Sequence, residues 1–438
     1  MAVATMTKTK LKDVCDRITV GHVGLMADKY AREGVPFLRS QNITPFRLNL
    51  DDIKFVPRDF HESLVKSALS PGDVAVVRTG YPGTACVIPQ SLPESNCADL
   101  VVITPSKKVN PYYLAAIFNS AWGKASVAGN LVGVAQQHFN VGAAKEMELA
   151  LPSRATQDRI AGILSAYDEL IENNQRRIKI LEEMARSLYR EWFIHFRFPS
   201  GNEPSPDATR HPLPLGEGQG EGRVKLVASP LGPIPQGWEV VPIDDVCELV
   251  TDGSHSSPKS VEQGLPMASS KDMHEWGLSL EACRHISRQD FDQLVRNGCK
   301  PKKNDVLITK DGANYLKHIF VVREEQELVL LSSIAILRPN ERINPHLLTA
   351  ILSAPENKDR LKNYVTGAAI PRIILSDFKQ FKIVLPSQEI QDAWAKIGEP
   401  ITQLCWRLID QITNLRRTRD RLLPRLLSGQ VSLDVGNG

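Results

Sequence analysis

The chain is written twice, and that duplication constrains its fold more than any other feature of its 438 residues. NPYYLAAIFNS at 110–120 has a counterpart, NPHLLTAILSA, that begins 234 residues later at Asn344. At the same offset ADLVVITPSKKVNP (98–111) lies over SSIAILRPNERINP (332–345), and ELALPSRATQDRIAGIL (148–164) over KIVLPSQEIQDAWAKIG (382–398). Earlier segments match at slightly smaller offsets. LKDVCDRITVG (11–21) pairs with IDDVCELVTDG (243–253), GVPFLRSQNI (34–43) with GLPMASSKDM (264–273), and PGDVAVVRTG (71–80) with KNDVLITKDG (303–312). Such a period is far longer than that of a solenoid repeat, so the chain holds two whole modules.

The repeat also disposes of a tempting motif. Asn110-Pro111-Tyr112-Tyr113 comes within one residue of the Asn-Pro-Pro-Tyr/Phe signature of DNA adenine methyltransferases, whose aromatic ring stacks on a flipped base. The second copy reads Asn344-Pro345-His346-Leu347 and has no such ring. Both copies keep Asn-Pro followed by apolar residues at helical spacing. This is an N-cap asparagine with proline at the first helical position, where its missing N–H costs nothing. No glycine-rich strand-to-helix turn suited to S-adenosylmethionine is present either. A stand-alone adenine-N6 methyltransferase is therefore the weaker alternative, beside a helical scaffold with no DNA role.

Each module opens with a short helical segment. VAVV (74–77) and VLIT (306–309) read as strands after a polar turn, LVVI (100–103) and IAIL (334–337) as buried strands, and LALP (149–152) and IVLP (383–386) as the last strand of each copy. The fold class is α/β, with two duplicated mixed α/β globular domains whose strand order the pattern does not give.

After each Leu-Pro-Ser comes a long amphipathic helix. In the first, Ile160, Leu164, Tyr167, Ile171, Asn174, Ile178, Leu181, Ala185, Leu188 and Trp192 alternate steps of four and three, a heptad seam. The second seam, Trp394, Gly398, Ile401, Cys405, Leu408, Ile412, Leu415, Arg419, Leu422 and Leu426, is poorer. Pro400 and Pro424 should kink or end it, and Arg419 puts a charge on it. About 40 helical residues span roughly 60 Å, the length of a strut. Two related stripes that need burial most simply pair antiparallel as a coiled coil, giving a pseudo-two-fold frame. Asn174 sits where a polar residue can set register.

The expected boundaries are a first domain at 1–153, the first helix at 154–198, a Pro- and Gly-rich linker at 199–228, a second domain at 229–387 and the second helix at 388–430. The GEGQGEG run in the linker (216–222) has no flanking strand or helix and is no phosphate loop. Composition narrows the class further. The N-terminal MAVATMTKTKLKD lacks the apolar stretch of a signal peptide, and no apolar run approaches a membrane span. Seven cysteines without a CxxC pair suggest reduced thiols in a cytoplasmic protein. Cys15 and Cys247 fall at matching apolar positions and read as core thiols. Ten histidines show no metal-ligand spacing, so no metal site or catalytic residue is proposed. Asp73 and Asp305, each before a strand, read as turn residues rather than a nuclease core. Trp192, Phe193 and Phe196, at the end of the first helix, suit core or partner contact better than base stacking. A net charge of +3 is low for a protein that grips DNA through phosphates alone.

Domain, helix, linker and then domain and helix again resemble the specificity subunit of type I restriction–modification enzymes over nearly the whole length. The supporting stretches are the LPS-plus-QD helix start in both copies, SPLGPIPQGWEVVPIDDVC (229–247) and RDRLLPRLLSGQVSLD (419–434). The resemblance implies that each domain is a target recognition domain reading one half of a split double-stranded DNA sequence. The helices would set the distance between half-sites, about one turn or 34–36 Å apart, and dock two methyltransferase subunits. A restriction and translocase subunit would join for cleavage. S-adenosylmethionine, ATP and Mg would belong to those partners, leaving this chain non-catalytic and without a cofactor. The long linker and the weaker second helix depart from the more regular members of the family.

Base reading needs forked or amide side chains on exposed loops, and three loops per module qualify. The first carries Arg39, Gln41 and Asn42, with Ser270 and Lys271 opposite. The second carries Arg78, Thr79 and Tyr81, with Lys310, Asn314 and Tyr315 opposite. The third carries Gln136, Gln137 and His138, with Arg372 opposite. The loops of Arg78 and Lys310 are the foremost candidates.

Overall fold

The computed structural model describes residues 6–132, 138–198, 225–366 and 371–431. It divides into two compact units. The first comprises Met1–Gln175 with Asp410–Gly438, and the second is Arg176–Ile409.

In the first unit an antiparallel sheet runs in the order Cys15–Val20, Leu100–Pro105, Val74–Val77, Ala85–Val87. In the second unit the order is Cys247–Asp252, Ile334–Pro339, Val306–Thr309, Ile319–Val321, the same topology strand for strand. The central strands look continuously apolar because the sheet is covered on both faces. Val74 and Val76 enter one core with Val101 and Ile103, while Ala75 and Val77 enter another with Leu100 and Val102. Val306 and Ile308 are likewise separated from Leu307 across the second sheet. A second sheet in each unit contains one parallel pair, Val35–Leu38 with Ser95–Cys97 and Leu265–Ala268 with Val329–Leu330.

Two strands escape the sequence pattern. Thr7–Lys10 precedes the expected opening helix and pairs antiparallel with Glu148–Leu151, and Glu239–Pro242 does the same with Lys382–Leu385. Each domain therefore begins and ends on one two-stranded ribbon. Leu226–Val227, inside the expected linker, also forms a strand, paired with Ile234–Pro235.

The Asn-Pro segments start helices Pro111–Asn119 and Pro345–Ser353. Asn110 accepts from the backbone N–H groups of Tyr112 and Tyr113, and Asn344 from those of His346 and Leu347. The Gln of the QD motif fixes each long helix to its domain. Buried Gln157 accepts from the Asn110 N–H (2.9 Å) and donates to the carbonyls of Pro152 (3.0 Å) and Lys108 (3.3 Å). Gln391 accepts from Asn344 (3.1 Å) and donates to Pro386 (3.1 Å) and Arg342 (2.9 Å).

The long helices are Arg154–Tyr189, closed by a π turn at Arg190–Ile194, and Gln388–Leu427. The second continues past Pro400 and Pro424, so neither proline ends it where it stands. Both prolines lie on its exposed face, where one lost backbone bond leaves the buried stripe intact. Within the first unit Asp168 meets Arg419 and Asn174 meets Gln411 (3.3 Å), so partner numbers fall as the chain rises and the pair is antiparallel. In the second unit Phe193, near the end of the first helix, lies against Trp394, near the start of the second (ring centroids 6.3 Å). Arg419 is no defect in the seam. Largely buried, it donates to Asp168 (2.5 Å) and lies 4.7 Å over the Phe46 ring.

Trp192 and Phe193 are core residues of the second unit, with Trp238 5.7 Å from Phe193. Cys247 is buried as expected, whereas Cys15 is only half-buried. Asp73 and Asp305 accept from the backbone N–H groups of Ser70 (2.9 Å) and Lys302 (2.7 Å), and each also pairs with an arginine, Arg17 or Arg338. Among the described residues no helix is long and apolar enough to cross a membrane, and no cluster of His, Cys, Asp and Glu could hold a metal.

Candidate nucleic-acid interface

The central strand of each unit ends in a tight loop. It requires a left-handed residue two positions past the basic one, and Gly80 (φ +79°) and Gly312 (φ +79°) supply it. The loop is stitched to the segment that follows the Asn-Pro helices. The Arg78 carbonyl accepts from the Phe139 N–H (3.1 Å), and the Lys310 carbonyl from the Ile373 N–H (3.1 Å). Gly312 N–H adds a bond to the Pro371 carbonyl (2.9 Å). The second and third candidate loops thus meet in both units. In the second unit Ser333 draws in the first loop as well. Its hydroxyl accepts from the Ser270 N–H (3.0 Å) and its carbonyl from the Lys310 N–H (2.9 Å). In the first unit the backbone of Ala98 holds Leu38 (3.0 Å), one residue before Arg39, while neighbouring Asp99 holds Arg78 and Thr79.

Within these clusters the candidate side chains differ sharply. Tyr81 is 86% exposed at its loop tip. Gln41, Lys271 and Arg372 are exposed too. Thr79, His138, Ser270, Asn314 and Tyr315 are half-buried. Asn42 is corrected from reader to structural residue. It is buried, accepts from the Arg39 N–H (3.0 Å) and donates to the Asn49 carbonyl (2.9 Å), closing a turn that Asp272 closes in the second unit. Arg39 donates to both the carbonyl and the carboxylate of Asp52, and Gln41 reaches the same carboxylate (2.9 Å). Lys54 and Arg39 together hold the Asp52 carboxyl down to about 2.

Neither of the two foremost candidates offers a free cation in this structure. The Arg78 guanidinium donates to the Phe139 carbonyl (3.1 Å) and Asp99 (3.1 Å), and its side chain is 12% exposed. Lys310 is 5% exposed between Asp252 (3.0 Å) and Asp311 (3.5 Å). Gln136 and Gln137 lie outside the described residues. The acids Asp52, Asp99 and Asp252, which hold the loops, were not among the sequence candidates. One signal existed for Asp252: TDG at 251–253 stands where the first copy has TVG.

A family model for the type I restriction modification DNA specificity domain matches residues 5–183 and again residues 235–415. The chain belongs to this family. The double match coincides with the internal repeat. Among specificity-family relatives, the type I restriction enzyme MjaIX specificity subunit of Methanocaldococcus jannaschii is 25% identical over 299 residues, covering 66% of this chain and 62% of that protein. The putative MjaX specificity subunit of the same organism is 21% identical over 451 residues, covering 96% of this chain and 93% of that one. The crystal structure of the S subunit of a type I restriction–modification system from M. genitalium shares the fold, with a TM-score of 0.55 at 15% identity, 97% of this chain and 96% of that one being covered. The specificity family recognises DNA and leaves catalysis to other subunits.

Proposed function

We propose that this chain is the DNA-reading subunit of a type I restriction–modification complex, each unit recognising one half of a bipartite target. The observation that carries the reading is the twofold recurrence of one loop cluster, on one sheet topology, in a chain matched twice by the specificity family. Direct readout requires donors and acceptors presented to base edges from a firm scaffold. The exposed side chains Gln41 and Tyr81 in the first unit, and Lys271 and Arg372 in the second, meet that requirement, with His138, Ser270, Asn314 and Tyr315 beside them.

The long helices act as the spacer and as the docking surface for two methyltransferase subunits. A restriction and translocase subunit completes the assembly in the cytoplasm. S-adenosylmethionine, ATP and Mg are used on those partners. The test is methylome sequencing of cells expressing the chain with its methyltransferase subunits. The expected outcome is adenine methylation within a two-part motif interrupted by a fixed number of unread bases. Methylation without sequence preference overturns the reading. S-adenosylmethionine binding by the isolated chain would instead favour the solitary methyltransferase.

A further inference from the structure

The buried cations at the loop bases occupy matching positions, yet their acids do not. Arg78 and Lys310 each follow the central strand directly. In the first unit the acid is Asp99, just ahead of the neighbouring strand Leu100–Pro105. The aligned residue in the second unit is Ser333, which offers only its carbonyl to the Lys310 N–H. There the nearer acid is Asp252 (3.0 Å, against 3.5 Å to Asp311), at the end of the next strand over, where the first copy has Val20. Arginine therefore pairs with the adjacent segment, and lysine reaches past a serine to the strand beyond. Each unit has an ion pair at this position, with the acid drawn from a different segment.

A charge that read a base would need to be free at the surface. These are enclosed, and both stand at the same backbone joint, which only the Arg78 side chain also touches. Arg78 binds the Phe139 carbonyl with its guanidinium and the Phe139 N–H with its own carbonyl (both 3.1 Å). The Lys310 carbonyl binds Ile373, the residue aligned with Phe139. The surroundings of the two joints differ in what they expose, with Tyr81 beside one and Arg372 beside the other.

We infer that Arg78–Asp99 and Lys310–Asp252 are equivalent clasps, positioning residues that hold the strand-end loop to its own sheet, beside the backbone joint with the following segment, so that neighbouring exposed side chains read DNA. The clasp carries no sequence information, so one unit's clasp functions in the other. This rests on the proposed DNA-reading function.

The experiment uses the full chain in its complex with methyltransferase subunits, with the wild-type motif established first. Competition titrations then compare DNA carrying both half-sites with DNA in which one half is scrambled. Arg78→Ala and Asp99→Asn should each reduce preference for the first half-site by roughly tenfold or more and leave the second half-site unchanged. A triple variant, Arg78→Lys with Asp99→Ser and Val20→Asp, rebuilds the second unit's clasp in the first. It should recover first-half preference to within about threefold of wild type and methylate the same motif. Two results overturn the inference. One is undiminished recognition by Asp99→Asn, which would mean that the ion pair does not position the reading residues. The other is a triple variant that keeps second-half recognition but stays as impaired as Arg78→Ala. Failure of the underlying functional reading looks different, since the wild-type complex would then prefer neither half-site.

Discussion

Buried charge is the most informative feature at the level of single residues. Arg419 occupies a seam position that a heptad would give to leucine, and it is tolerated because Asp168 faces it. Burial pushes the Asp168 carboxyl up, with Arg419 pulling it back down. Removing one partner of such a pair leaves an uncompensated charge, whereas replacing both with apolar groups is often harmless. Arg419→Ala should therefore cost about 3 kcal/mol, and Arg419→Leu with Asp168→Leu should recover most of it, read from urea unfolding midpoints. His346 makes a second residue-level prediction. Burial beside Trp406 (ring centroids 5.8 Å) lowers its pKa from the ordinary 6.5, with Glu399 opposing weakly. The unfolded chain then takes up the proton first. The contribution is intact above pH 6.5 and is lost as pH falls toward the folded value. His274 and His318 shift in the same direction. His346→Gln should consequently flatten, without abolishing, the fall in melting temperature between about pH 7.5 and pH 5.

The individual elements show where sequence pattern works and where it stops. Gly398 stands in the second seam, and an added Cβ there would come within 2.6–2.8 Å of the Trp394 ring. The glycine is the seat for that indole, which is 3% exposed in the second unit's core. Gly398→Ala should displace the ring and cost about 1–3 kcal/mol, although alanine is the better helix former. Unchanged or raised stability in thermal melts would refute this. Strands such as Val74–Val77 and the Asn110 and Asn344 caps were legible because their signals lie within a few consecutive residues. The opening strand Thr7–Lys10 was not, since a TKTK edge strand is defined by its partner Glu148–Leu151 rather than by its own composition. The pairing at the loop bases was illegible for a related reason. Arg78 and Lys310 look like ideal readers in sequence, and only the fold brings Asp99 and Asp252 to them. Local chemistry wrote the caps and strands, and long-range pairing decided which polar side chains stayed free.

For the molecule as a whole, the consequential fact is how each domain joins its helix. Thr7 pairs with Leu151 in the first domain, and Glu239 with Leu385 in the second, so chain entry and exit lie side by side on an antiparallel ribbon. Directly beyond that ribbon, Gln157 and Gln391 make the same set of bonds to their Asn-Pro helices. The joint is one part used twice, while the exposed loop residues differ. A domain should then be replaceable at these seams without disturbing the helix pair. Residues 7–151 inserted in place of 239–385 carry their own ribbon partner and present Asn110 to Gln391 as Asn344 does. If each domain reads its half-site through its own loops, the wild-type complex methylates a motif with two unlike halves. The substituted chain should methylate one whose halves both match the half previously read by the first domain. Methylome sequencing of cells carrying each chain with the same methyltransferase subunits distinguishes the outcomes. Retention of the original second half would mean that recognition there lies outside residues 239–385, and the assignment of reading to the domains would fall.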